Sequence, residues 1–438
     1  MSTAPGSGVL GVPAWTYPLL SILCAVAMWT YVDRVLIPHQ ISEAAEHDRP
    51  RGNLSDLYPR WLGARELLLH GRDPYSAEVT REIQAGYYGR PLDATRPSDP
   101  RDKAGFAYPV YVVFFLAPTV KFPFAVVQRC FFWLLVILTS ASTILWFRVV
   151  QWSPPIATQC SALALTLGSI AVMQGLKLQQ ISLLITALIC AAIVLLEADH
   201  VVAAGVLLAI ASVKPQLVIL LLIWLAIWTF GDWRRRYRLA VSFGLSMAIL
   251  LAASEWILPH WIPRFWHALG EYRSYAPSTS VMDGMIGTPW SRALEILAVA
   301  GLLGACWKER RQAASSESFA FVASMVLATT ILVLPMPAQY NQVLLIPALL
   351  FLAKERSPIW RRNILDRILL VTMAGLLLWS WVASAVLAGV SFVTPELAER
   401  AWAAPIWTTP QIPVAVAALM LVHYYQRTFA APSGPGSS

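Results

Sequence analysis

Apolar residues arrive in long blocks separated by short polar clusters, and the blocks set the scale of the structure. They occupy residues 17–37, 124–150, 153–173, 181–196, 201–213, 216–230, 239–258, 290–307, 319–334, 342–352, 368–390 and 406–425. A helix needs about 20 apolar residues to cross roughly 30 Å of hydrocarbon, so several of these runs are short for a straight crossing. Inside a bilayer every backbone amide must be paired within its own segment, which leaves helices as the solution for blocks of this kind. The pattern predicts an all-α polytopic membrane protein with about twelve transmembrane helices.

A further apolar run at 106–122 is ambiguous, because it holds Pro109, Pro118 and Lys121 and is followed by Pro123. If it spans, the long loop before it shares a side with the Arg-rich loops 231–238, 308–311 and 354–367. If it lies in the interface, those basic loops, Arg148 and Arg427 fall on one face. The loops 38–105 and 259–289 then fall on the other. Only the second arrangement obeys the positive-inside rule throughout. It predicts both termini in the cytoplasm and 106–122 as an interfacial helix on the outer face of the cell membrane. The first apolar run reads as a retained anchor, since no basic region or small-residue cleavage site precedes Asp33. Residues 1–16 and 427–438 read as disordered tails, framing a core at 17–350 and C-terminal transmembrane helices at 351–426.

Composition agrees with the pattern. Of 438 residues, 57% are hydrophobic and 13% charged, where soluble domains carry about 25% charged residues. The net charge of +8 sits beside apolar runs and not on a basic face with interleaved aromatics, so a nucleic-acid partner is excluded. The five cysteines, Cys24, Cys130, Cys160, Cys190 and Cys306, lie in or beside apolar runs and read as packing residues, with no disulfide or zinc spacing. His260 and His267 have no carboxylate at metal-ligand spacing, so no metal site is expected.

The loop at 38–105 carries ten Lys/Arg against eleven Asp/Glu, too charged for a mere connector. Within it, Leu54, Leu57, Trp61, Ala64 and Leu68 recur at helical spacing. Asn53 or Ser55 can cap the start, Pro59 suits the first turn and Gly71 suits the end. The spacing predicts an amphipathic helix lying along the outer membrane surface, with Asp56 at its beginning.

Asp56 at the start of such a helix, the stretch Leu68 to Tyr75 ending in Gly71-Arg72-Asp73-Pro74-Tyr75, and then Phe106-Ala107-Tyr108-Pro109 resemble the type-C membrane glycosyltransferases. The resemblance is nearest to glycosyltransferase family 87, the polyprenyl-phosphate-sugar-dependent mannosyl- and arabinosyltransferases. That family next shows a Gly-Gln-x-Asn step, here Gln179-Gln180-Ile181-Ser182. It then shows a small-residue helix ending in Lys-Pro, here Ala204-Gly205 through Lys214-Pro215. The resemblance covers roughly residues 15–350.

It implies a type-C glycosyltransferase-like fold with amphipathic helices in a long first extracytoplasmic loop. The implied donor is a polyprenyl-phosphate sugar, and the acceptor a glycan or glycolipid hydroxyl on the outer face. Carried over from the family, Asp56 is the general base, because an alcohol is a weak nucleophile and must lose its proton as it attacks. The leaving lipid phosphate needs cations near its oxygens, and Lys177 and Lys214 are placed for this at helix ends near the membrane. Gln180, Tyr108, Arg60 and Tyr340 complete the candidate donor contacts. Lipid monophosphate donors imply no metal or other cofactor.

Plainer roles stand beside these. Asp56 either acts on the acceptor or complements its own helix end, pairing with Asn53. Lys214 either binds phosphate or snorkels to headgroups above Pro215. Lys177 also reads as an interfacial charge, and Tyr108-Pro109 as a structural re-entry point. Arg60 and Arg65 also read as solvated or headgroup-facing. Tyr340, in the polar turn 335–342, either lines a sugar pocket or helps cap the next helix. Two other functions fit the pattern, a transporter or lipid flippase and an inactive envelope-assembly scaffold.

Overall fold

The computed structural model describes residues 13–46, 55–93, 95–276, 279–335 and 338–429. Helices dominate and no β-strand forms among these residues. Most of the two expected disordered tails, and Leu54 and Asn53, lie outside the described residues, while the last helix, Gln411–Phe429, runs on into the expected C-terminal tail.

Six helices are long and apolar enough to cross a bilayer: Thr16–Glu46, Phe124–Val149, Trp233–Ile257, Trp290–Glu309, Ile364–Val390 and Pro395–Thr428. Ile156–Leu167 and Ile170–Lys177, bent by 53°, make a seventh if they act as one span. Shorter apolar helices are Ile181–Glu197, Val201–Ala211, Pro215–Gly231 and Glu317–Val333. The run at 342–352 falls on a 3-10 segment, Gln339–Leu345, that leads into the helix Ile346–Lys354.

Burial separates two kinds of helix. Trp233–Ile257 leaves Val241, Leu245, Ile249 and Trp256 exposed, an apolar surface that water would not tolerate and lipid would. Glu317–Val333 is the opposite, with every residue from Phe319 to Leu332 buried, as a helix apolar on all sides must be. It packs against Pro215–Gly231, Trp290–Glu309 and Gln411–Phe429 and forms the centre of the bundle. Cys190 and Cys306 are buried, but Cys130 and Cys160 are exposed on apolar helices, so those two are not packing residues.

Backbones approach closely where side chains are small, as membrane helices require when lipid removes the hydrophobic drive between them. A Cβ on Gly205 would overlap the Ser242 hydroxyl and crowd the Leu239 carbonyl. This glycine lets Val201–Ala211 lie directly on Trp233–Ile257.

The basic loops gather at one end of the bundle. The Arg236 guanidinium donates to the carbonyls of Trp228 (2.6 Å), Arg310 (2.7 Å) and Gln312 (2.8 Å). It thereby satisfies helix-end carbonyls that have no partner within their helices. Nearby Lys354 bonds the Val150 carbonyl at 3.1 Å and pairs with Glu317 at 3.0 Å. Pro215–Gly231 starts at the opposite end. Its 17 residues span about 25 Å at 1.5 Å per residue.

Two local expectations are corrected. The helix Leu57–His70 ends at Gly71 in the left-handed conformation, φ 66°, as expected. Its burial is not confined to one apolar face, however. Pro59, Gly63, Glu66 and Leu67 are buried along with Leu57, Trp61 and Ala64, because Ala77–Tyr88 and Val112–Leu116 pack over it. The run 106–122 forms no long interfacial helix. Pro109 and Pro118 confine it to the five-residue helix Val112–Leu116 and the 3-10 turn Ala117–Thr119. Its side chains Phe106, Val110, Val113 and Leu116 are buried.

Replacing Gly205 by Val should destabilise the protein by about 1–3 kcal/mol, the usual cost of overpacking. A lowered thermal unfolding midpoint in detergent or nanodiscs is the expected reading. An unchanged midpoint would mean the two helices are not held in contact there.

Candidate active site

At the end of the bundle away from the basic loops, a cavity of about 640 Å³ opens between the first loop, the start of Pro215–Gly231 and the helix Trp261–Tyr275. Its size suits a small ligand or the head of a larger one. Polar groups reach it from Asp56, Arg60, Tyr108, Lys214 and Tyr340, and apolar walls come from Val213, Ile219, Phe265 and Leu334.

Asp56 is held by contacts far away in sequence. Its backbone N–H donates to the Leu178 carbonyl at 3.1 Å, which ties the start of Leu57–His70 to the turn before Ile181–Glu197. Gln180 Nε2 donates to Asp56 Oδ2, and the Tyr87 hydroxyl donates to Oδ1 at 3.2 Å. Burial first, and the Asp56 charge second, hold the Tyr87 hydroxyl well above the usual tyrosine range, so it stays a proton donor. Asp56 is the N-cap residue of its helix, yet its side chain makes no capping bond. The carboxylate lines the cavity instead of capping the helix by a hydrogen bond, and the pairing with Asn53 considered from sequence lies outside the described residues.

Arg60, one turn on, is not solvated. Its guanidinium lies 4.2 Å over the Tyr108 ring, and Nη2 donates to the Tyr108 hydroxyl at 3.1 Å. Nε and Nη1 are buried without any hydrogen-bond partner. A native protein rarely leaves a buried charged donor unpaired. The exposed-arginine reading fails because Tyr108 and its neighbours fold over the helix.

Lys214 lies in the turn before Pro215–Gly231 and is 5% exposed. Its ammonium donates to Ser182 Oγ at 2.6 Å and Asn341 Oδ1 at 3.2 Å, and sits 4.9 Å from the Tyr340 ring centre. Ser182 also donates to Asn341 at 2.8 Å. Burial, with the Arg60 charge adding, pushes the ammonium down to about 7, while Asp56 works the other way. The headgroup-snorkelling alternative is corrected: the side chain points into protein, not outward.

The Asp73-Pro74-Tyr75 stretch fastens this assembly. Asp73 accepts from the Tyr75 N–H at 2.9 Å and pairs with Arg264 at 2.8 Å. The Tyr75 hydroxyl donates to the Tyr108 carbonyl at 2.5 Å. One short motif thus joins the first loop, the Tyr108 segment and the Trp261–Tyr275 helix.

The structure brings Asp56, Arg60, Tyr108, Lys214 and Tyr340 to one cavity. Gln180 is buried behind it and bonds Asp56. Lys177 is elsewhere: its ammonium donates to Gln40 at 2.7 Å and does not line the cavity. Sequence reasoning missed Tyr87, Asp102 and Tyr275, whose placement depends on tertiary contacts, while Asn341 lies in the polar turn 335–342 that the sequence offers as a pocket wall. Ser182 was in view as a departure from a motif, and its bond to Lys214 gives it a place. Gln179, where the resembling family has Gly, adopts φ 45°, a left-handed conformation that glycine takes without strain. Among the described residues no three His, Cys, Asp or Glu side chains converge as a metal site would need.

Comparison with curated proteins and with solved structures returned no match. The family model of glycosyltransferase family 87 matches residues 106–335. That segment includes Tyr108, Lys177, Gln180 and Lys214, while Asp56 and Arg60 precede it and Tyr340 follows it. The match spans more than half of the chain, and the helices it covers form the bundle that carries the cavity. The chain is a membrane protein that belongs to glycosyltransferase family 87.

Proposed function

We propose that the cavity transfers one hexose or pentose from a polyprenyl-phosphate donor to a glycan or glycolipid hydroxyl, with Asp56 as general base. The observation that carries this reading is Arg60, which lines the same cavity as Asp56 and Lys214 and keeps two buried guanidinium nitrogens without a hydrogen-bond partner. Such donors call for an anion, and a phosphate supplies oxygens for both.

The chemistry follows from the residues. The acceptor oxygen attacks the anomeric carbon while its proton passes to the Asp56 carboxylate. The bond from that carbon to the phosphate oxygen breaks, and negative charge grows on the leaving lipid phosphate. Arg60 Nε and Nη1 and the Lys214 ammonium offset that charge in a site largely shielded from water, where such contacts are stronger than in solution. Gln180 and Tyr87 fix the carboxylate between them. Apolar walls at Val213, Ile219 and Leu334 suit the first carbons of a lipid tail. The reading routes no step through a metal, because the two cations compensate the phosphate.

The same reading takes the chain as a type-C fold with about twelve crossings, the loop 38–105 and the cavity outside the cell membrane, and both termini inside. Its support is that the Arg-rich loops and the cavity lie at opposite ends of Pro215–Gly231, in keeping with the positive-inside rule.

Asp56→Asn should lower transfer by about 10²- to 10⁴-fold in an assay against a panel of polyprenyl-phosphate sugars, with unchanged insertion and monodispersity. Full activity would remove Asp56 as the base. Arg60→Gln should raise the donor KM roughly 10- to 100-fold, the weight of lost charge-assisted hydrogen bonds; an unchanged KM would place the phosphate elsewhere.

Lys214→Met should leave the thermal unfolding midpoint unchanged or higher while transfer is lost. Replacing a buried charge by an apolar side chain of similar volume is often neutral or stabilising, and Ser182 and Asn341 still bond each other. A midpoint lowered by several degrees would make Lys214 a structural residue.

A further inference from the structure

The cavity has two chemically different walls. One, built by residues 213–216, Ile219, Leu334, Pro335, Ala338, Tyr340 and Asn341, carries Lys214 among mainly apolar side chains. The other is built by Tyr87, the segment 102–109 and the end of the Trp261–Tyr275 helix. It presents Asp102, Tyr272 and Tyr275, with Arg273 as its cation beyond Arg60.

Asp102 is held in place on this second wall. Its Oδ1 accepts from the Ala104 N–H at 2.8 Å, and its backbone carbonyl accepts from the Tyr88 hydroxyl at 2.8 Å. The next residue is tied down twice, by Gln84 donating to the Lys103 carbonyl at 3.1 Å and by the Lys103–Glu271 pair at 3.1 Å. The Tyr275 hydroxyl interacts with the Asp102 carboxylate, and the Tyr272 and Tyr275 rings meet edge to face at 5.4 Å. Asp102 lines the cavity, and no ion pair closes over it among the described residues, which leaves its carboxylate with acceptor capacity to spare.

We infer that this wall is the acceptor subsite and that its ligand is an uncharged sugar, with Asp102 as a specificity-determining residue. The inference rests on the reading of Asp56 as the base. Sugar hydroxyls are donors, and a fixed carboxylate is the strongest acceptor a side chain offers them. Tyrosine rings supply flat apolar faces for the C–H side of a pyranose or furanose, with hydroxyls at the rim. Tyr87 joins the wall to the base, since its hydroxyl bonds Asp56. A sugar held by Asp102 therefore has a neighbouring hydroxyl within the reach of that carboxylate. Two carboxylates, Asp56 and Asp102, border this wall, and the donor phosphate engages Arg60, so a uronic acid or phosphorylated acceptor is disfavoured despite Arg273.

The test uses the full chain in nanodiscs and saturation-transfer NMR with methyl glycosides of mannose, glucose, galactose and arabinose, and with methyl glucuronide. At least one neutral glycoside should bind, with affinity about tenfold weaker in Asp102→Asn, the loss expected for one charge-assisted hydrogen bond. Asn keeps the Oδ1 that accepts from Ala104, so the segment stays folded. Tyr275→Phe, which keeps the ring, should weaken binding less. Binding of undecaprenyl phosphate, followed by native mass spectrometry, should survive Asp102→Asn and be lost in Arg60→Gln. The inference is overturned if no neutral glycoside binds, if the glucuronide binds better, or if Asp102→Asn binds as the wild type does. Lipid phosphate retained by Arg60→Gln would instead overturn the donor-site reading, whatever the glycosides do.

Discussion

Positive charge held out of water without a carboxylate partner is the constraint around which this end of the molecule is built. Transferring a cation into a protein interior carries an effective penalty of several kcal/mol even after relaxation. Arg60 meets part of it with the Tyr108 ring and hydroxyl, and Lys214 meets part with Ser182, Asn341 and the Tyr340 ring. Arg60 still keeps two buried nitrogens unpaired. The rest of the fold has to hold those groups still, because a mobile arginine would swing out to water. Fixed donors waiting for charge are what a preorganised transfer site requires.

The scaffold meets that demand by burying the first loop on itself. The Leu57–His70 helix is enclosed by Ala77–Tyr88 and Val112–Leu116, its start pinned to Leu178 and its far side clamped through Asp73, Tyr75 and Arg264. At the other end of the bundle, Arg236 bridges the carbonyl ends of two helix–loop junctions. Between them the Glu317–Val333 helix, buried from Phe319 to Leu332, fixes the spacing. The cavity floor is thus tied to both the soluble loop and the membrane core, and the contrast between its cationic and tyrosine-rich walls follows from which of these each wall belongs to.

Much of the architecture was legible because bilayer physics writes it in single-residue code: apolar length, proline breaks, a glycine after a helix. Gly71 and the helical runs needed no tertiary information. Asp56 was legible as a position but not as an orientation, since a residue at a helix start reads equally well as a cap. Arg60 reads from sequence either as a donor contact or as a solvated charge, because a charge at helical spacing beside apolar residues normally faces water; only the fold of Tyr108 over it decides between them. Lys177 and Lys214 look alike in sequence, each a lysine beside an apolar helix. Long-range packing sends one to Gln40 and the other to the cavity. Tyr87 and Asp102 carry no local signal: Tyr87 sits on the helix Ala77–Tyr88 and Asp102 in the non-helical segment after it, and only tertiary packing brings both to the cavity.

The most direct measurement is a cryo-electron microscopy structure of the wild-type protein with a polyprenyl phosphate bound. The account requires the phosphate between Arg60 and Lys214, within hydrogen-bonding distance of Arg60 Nε or Nη1, its tail leaving past Val213 and Ile219, and Asp56 on the opposite side of the sugar position. A phosphate seated among the basic loops around Arg236 and Arg310, with Arg60 still unpartnered, would contradict it.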